Sequence, residues 1–365
     1  MPITTKRIVI DGREFFSNKR TGIGRFLEGL IDALADSALD IEIALASFCK
    51  DTVPHKLKDR EKVRIKEIPM GLLSSEKALS NLSRQEASFF ISPYPKLPLL
   101  GLHCPAVHTI HDVLYLTHPA YKNRYKVFFD RFRLQMGLKK SSLTWYVSSW
   151  SLKETKEYIG FTGSDCRVRY NAIDEKFIQV SNNSDNIALK KYALSPGYIL
   201  VIGNGSPHKN LGVLLRGCNQ LERQIVFVGV SEGNQKYWKS RHPNAKSVWI
   251  NHVPDDSLPA IIREAFCLAQ PSTAEGYGYP PLEAMASGVP AVVSNIPVLV
   301  ETTGGNALIA DPNDPKRWIE IFKALADRDV YNEQIQKGWE WVKPLLGQKG
   351  WQKHISDIKE LIREN

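Results

Sequence analysis

Tyr198-Ile199-Leu200-Val201-Ile202-Gly203-Asn204-Gly205-Ser206-Pro207-His208-Lys209-Asn210-Leu211 is the stretch on which the fold turns. An apolar run of strand length enters a loop carrying Gly203, Gly205, His208 and Lys209, and a helical pattern begins at about Leu211. The same order opens the chain. A strand over Arg7 to Ile10 leads into a loop with Asp11, Gly12, Asn18 and Thr21-Gly22-Ile23-Gly24, then an amphipathic helix from about Arg25 to Ala35. A strand-loop-helix unit that starts twice implies two α/β domains, each with a parallel sheet covered by helices.

Working outward, strands are expected at Ile41 to Phe48, Phe89 to Ile91, Ala106 to Ile110 and Leu143 to Val147 in the first half. In the second half they are expected at Ile225 to Val228, Ser247 to Ile250, Cys267 to Gln270 and Ala291 to Ser294, with helices such as Leu258 to Ala265 and Pro281 to Ser287 between them. The polar run 179–186 reads as the linker. The expected domains are therefore residues 1–178 and 187–344. The Trp-rich segment from about Tyr331 to Asn365 is helical by periodicity and has no strand to partner, so 345–365 is expected to cross back to the first domain.

The composition bounds the function. With 365 residues, 43% apolar and 24% charged, the chain is long enough for two cores and lacks the bias of disordered or fibrous proteins. Its longest apolar stretches are strand-length, short of the roughly 20 residues a membrane span needs. Met1 to Arg13 shows no secretory h-region, so a cytoplasmic protein is expected. The five cysteines are scattered without a C-x-x-C pair, and neither a disulfide framework nor a zinc site is expected. Residues 1–180 carry 28 Lys/Arg against 20 Asp/Glu, a balance of +8 out of the total +9. That asymmetry implies an anionic partner for the first half, or simply a basic, soluble surface.

Three constellations carry candidate chemistry. Gly22-Ile23-Gly24 lies before a helix, where backbone amides can approach a phosphate, or is a tight turn and nothing more. The dinucleotide fingerprint fails because Leu27 stands where a third glycine belongs, which disfavours a nicotinamide cofactor. In the 203–210 loop, Gly203 and Gly205 permit close backbone approach and Lys209 can neutralise a phosphate leaving group, although a solvated lysine is the plainer reading. The richest stretch is Pro271-Ser272-Thr273-Ala274-Glu275-Gly276-Tyr277-Gly278-Tyr279-Pro280-Pro281-Leu282-Glu283. Glu275 follows a strand, Glu283 is expected in the first turn of the next helix, and both can face a cleft at the strands' carboxyl ends, with Gly276, Tyr277 and Gly278 offering amides between them. Glu283 alone is equally explained as an acid at a helix N-terminus.

These stretches resemble the GT-B glycosyltransferases with an E-x7-E motif, most closely the retaining enzymes of glycosyltransferase family 4 (glycosyl transferases group 1). The resemblance runs in order through Thr21-Gly22-Ile23-Gly24-Arg25-Phe26, Thr109-Ile110-His111-Asp112, Val147-Ser148-Ser149-Trp150-Ser151, Tyr170-Asn171-Ala172-Ile173-Asp174, His208-Lys209-Asn210, Asn251-His252-Val253-Pro254-Asp255-Asp256 and Glu275 to Glu283. It implies two facing Rossmann-like domains, the acceptor bound mainly by the first and a nucleotide sugar mainly by the second. Glu275 would then contact the donor sugar, Glu283 the ribose, Lys209 the leaving diphosphate and His111 the sugar near the reacting centre. Gly22 and Gly24 would approach the phosphate, Val253 the base, and Asp112 and Asn171 the acceptor.

The resemblance further implies a metal-independent enzyme without a cofactor, using GDP or UDP sugars. The only D-x-D, Asp327-Arg328-Asp329, falls in a helical region rather than at a strand end. One departure stands out, since the family usually has Arg-Lys where this chain has His208-Lys209, and phosphate neutralisation then rests mainly on Lys209. By family analogy the expected reaction is transfer of a hexose, taken as mannose, to a glycan or lipid-linked glycan in surface polysaccharide synthesis. Two routes to retention remain open, a double displacement through Glu275 and a same-face attack assisted by the leaving phosphate, of which the resemblance favours the second. A catalytically silent relative acting as a scaffold is the alternative. Finally, Tyr121 to Lys140 interleaves basic and aromatic residues. It is expected either to lie on an anionic membrane, at the inner face, or to pack its aromatics in the core with a solvated basic side. No nucleic-acid recognition motif accompanies it.

Overall fold

The computed structural model describes residues 5–16, 21–85, 87–118, 123–178 and 184–364. The chain divides into two compact units, Met1–Ala172 with Gly347–Asn365, and Ile173–Leu346. In the first, strands β1 (Lys6–Asp11), β2 (Ile41–Ser47), β3 (Val63–Glu67), β4 (Phe89–Ser92), β5 (Ala106–Ile110), β6 (Leu143–Tyr146) and β7 (Cys166–Val168) form a sheet of order β3-β2-β1-β4-β5-β6-β7. Every neighbouring pair in it is parallel. The second unit holds β8 (Tyr198–Ile202), β9 (Ile225–Val228), β10 (Ser247–Ile250), β11 (Ala265–Gln270), β12 (Ala291–Ser294) and β13 (Leu308–Ala310), in the order β10-β9-β8-β11-β12-β13 and again all parallel. Both are doubly wound, Rossmann-like sheets whose order reverses beside their first strand, between β1 and β4 and between β8 and β11.

The central strands are mostly apolar because helices cover both faces. Ile8, Ile10, Phe89, Ile91 and Val107 pack on one side of the first sheet with Phe26, Leu30 and Leu34 of the Gly22–Asp36 helix. Val9, Ala44, Phe90 and Leu79 form the core on the other side. The second unit has its own core around Ile199, Phe227, Cys267, Val292 and Trp318.

The boundary falls at Ala172/Ile173 rather than within 179–186. Ile173 pairs in parallel with Leu346, its N–H bonding Leu345 O at 2.8 Å, and Phe177 is buried with its carbonyl held by Ser287 Oγ at 3.0 Å. Residues 179–183 of the expected linker lie outside the described residues, and its last positions begin a helix, Ser184–Lys191.

The C-terminal helix, Gly347–Glu364, belongs to the first unit. Trp351 packs edge-on against Phe26 at 5.4 Å, and Asp357 is a buried anchor. Its carboxylate accepts from Trp145 Nε1 (2.8 Å), Arg167 Nη1 (2.7 Å) and Arg169 Nε and Nη2 (2.7 and 2.8 Å). Burial alone would raise the pKa of Asp357, but these donors hold it below the usual carboxylate value.

Candidate functional site

In the second unit the candidate residues follow β8 and β11, the adjacent strands where the sheet order reverses, at their carboxyl ends. Open α/β sheets place ligands there because the diverging loops leave a crevice. After β8, Gly205 takes φ +73°, and a Cβ there would lie 2.6 Å from Val230 Cγ1, so only glycine fits. Gly203 is different. A Cβ there would meet Lys209 Cδ at an ordinary 3.5 Å, so the close approach expected of this glycine is occupied by the stem of Lys209 itself.

A 3-10 turn, Pro207–Lys209, ends on Asn210 in the left-handed region. Asn210 Nδ2 donates to Pro271 O (3.0 Å) and Pro312 O (2.7 Å), and Thr273 N–H donates to His208 O (2.8 Å). These bonds lock the loop after β8 to the loop after β11. His208 contributes its carbonyl to that lock, with its side chain half-buried.

The lock brings Lys209 onto Glu275. The ammonium bonds both carboxylate oxygens, at 2.7 and 2.8 Å, with the lysine side chain 19% and the glutamate 9% exposed. Ser272 Oγ also donates to Glu275 Oε1 at 2.6 Å, and Gln270 Nε2 reaches the same oxygen while donating to Ser272 Oγ at 3.0 Å. Burial pushes the Glu275 carboxyl up, but the Lys209 charge and the hydrogen bonds outweigh it and leave the pKa below the ordinary value. The result is an ionised carboxylate and an ammonium fixed together in a half-closed seat.

Gln270 and Ser272 are partners that the motif reading left without a role. The signal for Gln270 was there, since it is the one polar residue of the otherwise apolar strand Ala265-Phe266-Cys267-Leu268-Ala269-Gln270.

The helix after this loop, Tyr279–Ala286, starts two residues earlier than expected. Glu283 is its fifth residue and is buried, one turn in rather than in the first turn, which removes the helix-dipole explanation for it. Gly278 caps the helix at φ +88°, with the site of a Cβ 2.5 Å from Leu299 Cδ2. Gly276 is half-buried, and Tyr277 is buried edge-on to Tyr279 at 5.2 Å. Val253, past the end of β10, is buried as well.

The remaining candidates belong to the first unit. Gly22 and Gly24 are already helical, because Thr21 caps the helix by accepting from Gly24 N–H at 3.0 Å. His111 lies just beyond β5, packed edge-on to Phe26 of that helix at 5.0 Å. Burial lowers its pKa to about 4, and its Nε2 bonds Pro93 O at 3.1 Å. A carbonyl only accepts, so Nε2 carries the proton and Nδ1 is the acceptor nitrogen of a neutral ring.

Asp112 Oδ1 accepts from Leu114 N–H at 2.9 Å, and Asn171 is fully buried. Near Asp112, Glu154 is pushed up to about 7 by burial and by the charges of Asp112 and Glu157, which the sequence did not signal. Asp327 of the D-x-D caps the Arg328–Val342 helix, accepting from the N–H groups of Asp329 and Val330. Among the described residues no cluster of three His, Cys, Asp or Glu is placed to hold a metal ion.

In solved structures the fold recurs in sucrose-phosphate synthase from Thermosynechococcus elongatus, with TM-score 0.79, 14% identity and 98% of each chain covered. It recurs again in Anabaena HepE in complex with UDP-glucose, with TM-score 0.77, 16% identity and coverage of 97% of this chain and 99% of that one. Among curated proteins, the O-antigen chain mannosyltransferase B of Escherichia coli is 32% identical over 220 residues, 57% of this chain and 58% of that protein. The O-antigen chain mannosyltransferase RfbU of Salmonella typhimurium is 28% identical over 223 residues, 60% of each. The match thus spans less than two thirds of these relatives' length. The family model described as Glycosyltransferase Family 4 matches residues 20–177 and the model described as Glycosyl transferases group 1 matches residues 186–341. With both sheets in GT-B form and both halves matched in order, the chain belongs to glycosyltransferase family 4, the group 1 glycosyl transferases.

Proposed function

We propose that this protein is a retaining glycosyltransferase that moves mannose from a nucleoside diphosphate sugar, GDP or UDP, to a hydroxyl of a glycan or lipid-linked glycan in O-antigen-type polysaccharide synthesis. The observation that carries the reading is the Lys209–Glu275 pair at the sheet's reversal point. Lys209 supplies charge for a diphosphate without a metal ion, and Glu275, kept ionised by Lys209 and by hydrogen bonds from Ser272 and Gln270, is a strong acceptor for sugar hydroxyls. The mannosyltransferase relatives support the choice of sugar and pathway.

In this mechanism the diphosphate leaves toward Lys209 and the acceptor hydroxyl attacks from the same face, losing its proton to the departing phosphate. Glu275 is already held by Lys209, Ser272 and Gln270, so it serves as an electrostatic and hydrogen-bonding group rather than as a nucleophile. His111, neutral near pH 7, offers Nδ1 as an acceptor to a sugar hydroxyl. Glu283 holds the ribose.

The test begins with thermal stabilisation by GDP, UDP, dTDP and ADP, since a ligand of the folded state raises its apparent stability. Transfer from the matching mannosyl nucleotide, with the product's anomeric coupling read by NMR, completes it. A shift with one nucleotide and an α-linked product are expected. No shift with any of them would sink the reading in favour of a silent relative, and an inverted product or a glycosyl adduct on Glu275 would sink the mechanism.

A further inference from the structure

The helix Arg124–Lys140 turns its aromatics the wrong way for a core helix. Toward the sheet it buries Arg133, Leu134, Gly137 and Leu138. Tyr125, Phe128, Phe129 and Phe132 follow the i, i+3, i+4, i+7 spacing of one stripe, centred roughly 160° around the helix from that buried face. They are 90, 76, 46 and 49% exposed. The reading in which these rings pack in the core is therefore overturned. Of the expected segment, Tyr121 and Lys122 lie outside the described residues.

The stripe has apolar company. Met70, Leu72 and Leu73, at the start of the Leu72–Gln85 helix, and Leu99 and Leu100 are exposed as well. One buried carboxylate ties the three segments together. Glu76 Oε1 accepts from Arg133 Nη2 at 3.4 Å and Arg13 Nη1 at 3.0 Å, its Oε2 accepts from Leu99 N–H at 2.5 Å, and Arg133 Nη2 also donates to Leu97 O at 2.9 Å. Glu76 lies one turn past Leu72, Arg133 adjoins Phe132, and Leu99 adjoins Leu100, so three sets of exposed apolar side chains are held on neighbouring segments.

The geometry points to this face as a docking surface for an anionic phospholipid bilayer. Arg124, Lys126, Arg131, Lys139 and Lys140 are all exposed on the same helix, whose only acid, Asp130, is half-buried. Aromatic rings seated at the headgroup boundary and cations on lipid phosphates are the arrangement by which a protein lies on a membrane. Four large aromatic side chains exposed along one stripe of a helix are unusual on a monomer. A second copy of the chain fits poorly, because a two-fold contact would set this cationic helix against itself. Among the described residues no helix is long and apolar enough to cross a membrane. The inference is independent of the glycosyl-transfer reading.

The test is co-sedimentation of the full chain with vesicles of phosphatidylethanolamine and phosphatidylglycerol, against vesicles of phosphatidylcholine. The parent should bind the anionic vesicles and release them in about 0.5 M salt, where the Debye length falls below roughly 5 Å. Tyr125→Ser/Phe128→Ser should weaken binding at least about tenfold. Arg124→Gln/Lys126→Gln should weaken it about 25-fold, from about 1 kcal/mol per charge. Both should melt like the parent, and if the first fails to fold the second carries the test. Equal binding to neutral vesicles, variants that bind like the parent, or a parent dimer that the variants turn into monomer would each overturn the proposal, the last assigning the face to a second copy.

Discussion

Replacing Glu275 by glutamine isolates the ion pair at the candidate site while keeping its shape. Lys209 sits 2.7 and 2.8 Å from the two carboxylate oxygens, and at an effective dielectric near 20 that contact corresponds to about 6 kcal/mol of Coulomb attraction. Removing one partner of such a buried pair costs about 3–5 kcal/mol. Glutamine retains an acceptor for the ammonium and Lys209 keeps 19% exposure, so the low end, about 3 kcal/mol, is expected. For a unit of this size that lowers the melting temperature by about 6–12 °C.

The loss should shrink when a nucleoside diphosphate is added. If Lys209 binds the diphosphate as proposed, its charge in the parent is shared with Glu275 whereas in Glu275→Gln it has no counter-charge there, so saturating nucleotide should stabilise the variant more than the parent. The pH dependence follows in sign. Glu275 is held below its unfolded pKa of roughly 4.3, so its contribution is present above that pH and fades as pH falls through the folded value. The variant should therefore lose less stability on acidification. Differential scanning calorimetry with and without nucleotide checks all three. A variant melting within about 2 °C of the parent, with the same nucleotide response, would show that the pair does not set the energetics of the site.

Other outcomes are equally specific. Gly278→Ala combines a left-handed backbone with a Cβ 2.5 Å from Leu299 Cδ2 and should cost about 2–5 kcal/mol in denaturant unfolding, whereas Gly203→Ala, with ordinary contacts, should cost under about 1 kcal/mol. His108, His111 and His354 are buried neutral, pushed by burial to about 3, 4 and 3. The unfolded chain binds more protons than the folded one below its histidine pKa near 6.5, so their stabilisation is complete above that pH. It drains by up to about 1.4 kcal/mol per pH unit per ring down to the folded values, and NMR should show no protonation of His111 above about pH 5. Asp357→Asn, which removes the charge from a buried carboxylate facing Arg167 and Arg169, should cost about 2–4 kcal/mol in thermal melts, while Glu360→Gln, half exposed, should leave the melt almost unchanged.

Much of the architecture was legible because buried parallel strands are apolar on both faces and stand out as runs such as Tyr198-Ile199-Leu200-Val201-Ile202. The strands that escaped notice are edges. Val63–Glu67 carries Arg64, Lys66 and Glu67, which break its apolar pattern, and Cys166–Val168 and Leu308–Ala310 are three residues each, too short to signal without a partner strand. Helix starts were misjudged where capping decides them, at Thr21 and Gly278, because a cap acts through one bond or one φ angle rather than through periodicity.

The sequence by itself determined the two α/β units, the loops that bear the candidate chemistry and the presence of Glu275, Glu283 and Lys209 in them, since these depend on local runs and fixed spacings. Tertiary structure alone decided who meets whom. Lys209 and Glu275 lie 66 residues apart and are joined because β8 and β11 are neighbours in the sheet, and Trp145 and Asp357 lie 212 apart and are joined because the last helix returns to the first unit. The aromatic helix makes the same point from outside. Its sequence fits a core helix and a membrane-facing one equally well, and only the packing of Leu134 and Leu138 against the sheet turned Tyr125 and Phe128 outward. Periodicity shows that a helix has faces, and the neighbours that compete to bury them choose which one sees water.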